Sequence, residues 1–121
     1  MRDERGLSGS VQVSLLLPVV IGIFLLAVQW AMMSWAQTTA HAAAQDAARA
    51  AAAYGATEAA GQHAAHGATT NGSLTDVSAT VHRRSETTSA TVTGRAVAVV
   101  PFFPTDIRAE ATAPTERLTD D

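Results

Sequence analysis

Cysteine is absent from this chain of 121 residues, which excludes disulfides and any zinc site built on thiolates. A small extracytoplasmic domain without disulfides is unusual among eukaryotic secreted modules and acceptable in a bacterial envelope protein. Aromatic residues make up only 5% of the chain. Phe24, Trp30 and Trp35 fall in or beside one apolar stretch, so the remainder, rich in Ala, Thr, Val and Ser, must build a thin core. A domain this small buries a modest share of its surface, and a thin core points to support from neighbours or a membrane. Excess positive charge is also missing. The formal net charge is −3 and the one basic doublet, Arg83-Arg84, is followed closely by Glu86. That balance argues against a nucleic-acid partner, which calls for a basic patch to neutralise phosphates.

The most informative absence is local. Ser10 to Ala40 contains no charged side chain. A bilayer crossing takes about 20 apolar residues at ~1.5 Å each to cover ~30 Å of hydrocarbon, and residues 10–36 satisfy this. The alternative is a secretory signal cut at Ser34-Trp35-Ala36 or Ala40-His41-Ala42, both of the small-x-small type. Yet a signal core runs to roughly 7–15 residues, and the apolar run here is much longer, which favours a retained helix. Arg2 and Arg5 precede the run, whereas Arg49 is the first basic residue after it. Basic bias on short flanks places the N-terminus in the cytoplasm and the rest of the chain outside. Trp30, Trp35 and Gln37 suit the outer interface, where amphipathic rings settle at headgroup level.

Beyond the run the helical signal continues. Ala42 to Ala60 holds twelve alanines, the strongest helix former. Asp46 and Arg49 stand three apart, a spacing at which side chains pair on one helix face. One continuous helix is expected from the membrane to about Ala60 or Ala65, weakened at Gly55 and Gly61 and stopping near Gly67. Its small side chains permit close helix approach, either beneath its own sheet or against helices of other subunits.

Residues 67–73 read as a turn with Asn71-Gly72 at its centre. The period then changes to two. Val77, Ala79 and Val81 alternate with Ser78, Thr80 and His82; a second run covers Thr88 to Val100, with Val97 and Val99 its strongest apolar pair. A third, Thr105 to Ala113, sets Ile107, Ala109 and Ala111 against Asp106, Arg108 and Glu110. Between the last two, Pro101-Phe102-Phe103-Pro104 breaks the strand and can place two rings against the membrane or the helix. The expected fold is α+β: a long N-terminal transmembrane helix continuing into an Ala-rich projecting helix, packed by a small three-stranded antiparallel sheet. The corresponding divisions are a leader at 1–9, the span at 10–36, the projecting helix at 37–66, the β-rich part at 67–113 and a frayed polar tail at 114–121.

Candidate chemistry is sparse. His41, His63, His66 and His82 invite a metal, but no carboxylate or Cys partner stands at ligand spacing. No phosphate loop, nucleophile elbow or paired-carboxylate pattern occurs, so no catalytic, cofactor-binding or metal residue is assigned and no small-molecule substrate is expected. Asn71-Gly72-Ser73 matches a glycosylation acceptor, a pattern common by chance. Thr87–Thr93 reads as hydroxyl-rich strand surface.

The order of these features resembles the TadE-like family, pseudopilin-like minor components of the tight-adherence (Flp-type) pilus machinery of bacteria. The residues that carry the likeness are Gly9-Ser10-Val11-Gln12-Val13-Ser14, Leu15-Leu16-Leu17-Pro18, and the Ala-rich segment 43–52 with Gln45, Asp46 and Arg49. Val97–Pro101 followed by residues 109–113 is also similar. The resemblance implies a leader cut by a prepilin peptidase after Gly9, leaving Ser10 as the mature N-terminus. It implies other pilus or pseudopilin subunits and the assembly machinery as partners besides the lipid bilayer. It further implies a single-pass protein of the bacterial cell membrane with an extracytoplasmic domain. The sequence departs from the family where an acidic residue is expected, at Ser14, which can hydrogen-bond but cannot neutralise a neighbour's amino terminus. That departure keeps a second role in view, a permanently anchored accessory protein that enters no filament.

Overall fold

The computed structural model describes residues 2–116, and their side chains from Val11 onward. Helix α1 (Arg2–Ala52) is followed by helix α2 (Glu58–Ala68) and strands β1 (Leu74–Arg83), β2 (Thr87–Ala96) and β3 (Asp106–Pro114). The strands form one antiparallel sheet in the order β1-β2-β3. The class is α+β, with the expected long helix and three-stranded sheet.

At 51 residues and ~1.5 Å per residue, α1 is about 77 Å long. Its two halves live in different surroundings. Residues 11–21 are exposed, and large apolar side chains from Val11 to Leu26 stand free. From Gln29 onward, side chains at a spacing of three and four turn inward: Ala36, Ala40, Ala43, Ala44, Ala47, Ala48 and Ala51 are fully or almost fully buried. That is the stripe of an amphipathic helix, made of methyl groups. It lies across β2 and β3, while α2 folds back along it and covers β1. The opposing layer supplies Leu74, Val81, Ala90, Val92, Ile107 and Ala109. Among the described residues the largest wholly buried side chains are Gln29, Val92, Thr88 and Ser73, so the core is thin, as the composition requires.

The alternation reading places the outer strands correctly. In β1, Val81 is buried with Val77 and Ala79 half-buried; in β3, Ile107 and Ala109 are buried and Asp106, Arg108 and Glu110 exposed. The middle strand differs. It ends at Ala96, and its inward residues are Thr88, Ala90, Val92, Gly94 and Ala96 rather than Val97 and Val99. Thr88 is therefore core and not strand surface. Its hydroxyl bonds that of Thr115 at 2.7 Å, so neither buried oxygen is left unpaired.

The expected uninterrupted helix to about residue 60 or 65 is corrected to a helical hairpin. Alanine propensity is high on both sides of the break, but Gly55 adopts φ +76°, which costs a glycine nothing. Thr57 then caps a new helix: its extended backbone and Oγ1, 3.2 Å from the Ala60 N–H, satisfy one of the free amides of the first turn. The exposed carbonyls at the end of α1 are met from the far end of the sheet. Arg83 Nε donates to Ala51 O at 2.8 Å and its Nη2 reaches Ala53 O and Glu116 O, each at 3.4 Å. Glu116 N donates to Ala52 O at 2.6 Å, and its carboxylate accepts the Tyr54 N–H at 3.2 Å.

These bonds correct the expected frayed tail for residues 114–116. Pro114 belongs to β3, Thr115 N donates to Glu86 O, and Glu116 is pinned to the helix terminus; residues 117–121 lie outside the described part. A cation over the last carbonyls of a helix suits the direction of its dipole. Arg83→Ala should therefore lower stability by about 1.5–3 kcal/mol, the range for hydrogen bonds to a charged group. Arg84, whose side chain is exposed, provides the control: Arg84→Ala should stay within about 0.5 kcal/mol. Chemical denaturation of the two variants in the same detergent checks the difference.

Candidate membrane helix and its polar clamp

Among the described residues, α1 is the one helix long and apolar enough to cross a membrane, by length and composition, and its most apolar window is unburied. The small domain takes hold of it at Gln29, ahead of residue 36 where the span was expected to end. Gln29 is 0% exposed, and both ends of its amide are engaged. Nε2 donates to Val97 O at 3.0 Å; Oε1 accepts the N–H groups of Val99 at 2.6 Å and Val100 at 3.0 Å. The segment after β2 is thus bound by a side chain of α1 instead of extending the ladder. Two further polar ties follow along the helix. Gln37 Nε2 donates to Arg108 O at 3.1 Å, so this residue braces β3. Asn71 Nδ2 donates to Thr39 Oγ1 at 2.9 Å, while its Oδ1 accepts from Ser73 N and Oγ. The Asn71 amide is thereby engaged in closing the α2–β1 turn, a structural use of what matched a glycosylation acceptor.

Gly9, Ser10 and Ser14, the residues singled out for processing and assembly, all fall within the continuous helix α1. The Ser10 side chain lies outside the described part, and Ser14 is exposed on the helix. Asp46 and Arg49 do not pair; the ion pairs among the described residues are Arg95–Asp106 at 3.5 Å and Arg108–Glu110 at 3.7 Å, both exposed. His41, His63, His66 and His82 are exposed, His63 and His66 three apart on α2 and the other two on α1 and β1, and no group of three or more metal-ligating side chains gathers among the described residues. The alanine face that could have met other subunits is taken up by the chain's own sheet and α2, leaving His41, Gln45, Asp46 and Arg49 on the outer side.

What reasoning on the sequence missed is Gln29. A single uncharged amide inside an apolar run leaves no mark in a charge count, and its partners lie 68 to 71 residues away. No curated protein and no solved structure matches the chain. The family model described as TadE-like protein matches residues 8–49. These residues lie within α1 and take in both strong parts of the resemblance up to Arg49; the similar Val97–Pro101 segment falls outside them. Through this helix, exposed and apolar at first and alanine-faced beyond, the chain is similar to TadE-like proteins.

Proposed function

We propose that the chain is a minor pilin-like or pseudopilin-like membrane protein that takes part in assembling a tight-adherence (Flp-type) pilus or a related secretion system. The TadE-like match suggests a role in pilus-related systems of this kind. One observation carries the finer reading: the matched segment is a single helix whose first part is bare and apolar and whose second part is the spine of a small α+β domain. Such a helix serves as a membrane anchor before assembly and as a packing rod afterwards. In this reading the bare N-terminal part of α1, within residues 10–36 and ahead of Gln29, anchors the chain, the N-terminus is cytoplasmic and the sheet extracytoplasmic. The role is structural rather than enzymatic and uses no cofactor, metal, nucleic acid or small-molecule substrate. Its partners are the bilayer, other subunits with their assembly machinery, and the prepilin peptidase.

A second reading has a specific observation in its favour. Ser14 replaces the carboxylate that would offset a neighbour's charged terminus, and an unbalanced charge inside a bilayer is costly. A chain with this substitution suits permanent anchorage as an envelope accessory or binding protein. Intact mass of the protein isolated from its own membranes separates the two. The first reading expects a chain that begins at Ser10 and regains residues 1–9 when the prepilin peptidase is deleted. A full leader in wild-type cells supports the second reading and sinks the first.

A further inference from the structure

The segment that Gln29 holds has the properties of a surface meant for lipid. Val97 to Thr105 are nine consecutive residues without a charge, bracketed by the Arg95–Asp106 ion pair. Val100-Pro101-Phe102-Phe103 closes a turn through Phe103 N to Val100 O at 3.4 Å. Proline stands at its second position and a residue with positive φ at its third, the pattern of a type II turn, where glycine or asparagine is preferred. Here that residue is Phe102, at φ +64°. A bulky side chain in the left-handed region is a true outlier, and this one packs against nothing: Phe102 is 104% exposed and Phe103 36%. The fold thus accepts backbone strain to present an aromatic ring to the outside, and folding alone gives no reason for it.

The surroundings say what the outside is. Phe102 lies two residues beyond Val100, hence within about 7 Å of chain from the Gln29 clamp. Gln29 itself comes directly after the bare apolar stretch of α1. Residues 11–28 amount to about 27 Å of helix, close to the ~30 Å of a hydrocarbon core. Irregular backbone near that depth is tolerated only where its polar groups are satisfied. In this loop Gln29 satisfies Val97 O, Val99 N–H and Val100 N–H, Phe103 N–H bonds within the turn, and Pro101 and Pro104 have no N–H to satisfy. Trp30, largely exposed one residue along α1, provides an interfacial ring at the same level.

We infer that residues 97–104 form a lipid-contacting foot, with the Phe102 ring inserted at the headgroup–acyl boundary of the outer leaflet. Gln29 fixes its depth, so the domain stands on the membrane at two points, the helix and the foot. The inference rests on the reading that α1 spans the bilayer, and the experiment keeps the two apart. The two native tryptophans are Trp30 and Trp35. In a full-length chain carrying Trp30→Phe and Trp35→Phe, single tryptophans are introduced by Val20→Trp, Phe102→Trp or Arg84→Trp. Each protein is reconstituted into phosphatidylcholine vesicles with and without brominated acyl chains.

Quenching by bromine at positions 20 and 102, several-fold stronger than at position 84, is the expected result. Quenching at 20 with position 102 no different from 84 overturns the foot and leaves the spanning helix intact. A blue-shifted but unquenched indole at 102 means that protein, such as a second copy, covers the ring, and this too overturns the proposal. No quenching at 20 overturns the spanning reading and the foot with it.

Discussion

Gln29→Met should release the loop that follows β2 and destabilise the domain by about 3 kcal/mol or more, the sum of three lost bonds at roughly 1 kcal/mol each before any penalty for groups left unpaired. Methionine keeps the length and most of the volume of glutamine, so packing loss contributes little, since volume-conserving swaps typically cost under about 1.5 kcal/mol. What disappears is the amide. Val97 O loses its donor, and the Val99 and Val100 N–H groups lose their shared acceptor. If the loop stayed in place, three polar backbone groups would be stranded beside an apolar helix. Moving outward to find water would pull on the Ala96 N to Thr105 O bond that closes the β2–β3 ladder. Either way the loss is concentrated at one end of the molecule. Hydrogen exchange should therefore show Val99 and Val100 amides unprotected in Gln29→Met while the Val92 amide, in the middle of the sheet, keeps much of its protection. Unchanged exchange at Val99 and Val100 would show that the clamp contributes nothing.

The same residue shows why some of this fold is legible in the sequence and some is not. Strands β1 and β3 declare themselves because one face meets the helix and the other meets solvent, so apolar and polar residues must alternate. The apolar run and the alanine stripe declare themselves through length and spacing. The end of β2 misleads for a physical reason: Val97-Ala98-Val99-Val100 has the composition of a strand, yet its backbone groups are captured by a side chain from another element. Propensity describes a residue's fit to a pleated surface and carries nothing about a competitor for its hydrogen bonds. The break after Ala52 is a milder case. Gly55 and Thr57 are both visible, but alanines on either side outweigh them in any local sum. The break is decided instead by the gain when α2 folds back over Val81 and when Arg83 and Glu116 meet the carbonyls it exposes. As for the candidate site, the family segment was readable from residues 9–18 and 43–52. The clamp and the positive-φ phenylalanine required the fold.

Gly61→Ala is the second large effect, and its sign is the informative part. In a helix interior, alanine normally exceeds glycine by about 0.8–1 kcal/mol, so the substitution should stabilise α2. At position 61 the added Cβ would lie 2.8 Å from Ala47 O, 2.9 Å from Ala51 Cβ and 3.1 Å from Val81 Cγ1. The nearest of these is backbone of α1, which cannot rotate aside, so relief requires α2 to move away from both α1 and β1. That displacement opens the alanine interface, where small side chains make close approach possible and where no long side chain can fill a gap. Overpacking of this kind costs about 1–3 kcal/mol, and the propensity gain offsets only part of it. At Gly67, in the last turn of the same helix, an added Cβ would meet nothing within 4 Å, so Gly67→Ala should raise stability by up to about 1 kcal/mol. Opposite shifts in the unfolding midpoints of the two variants, measured side by side in one detergent, are the expected outcome. A shift of the same sign in both would mean that α2 does not pack on α1 at Gly61. In that case the part of the alanine face around Ala47 and Ala51 would be left uncovered by α2, and only the sheet would hold α1 in the domain.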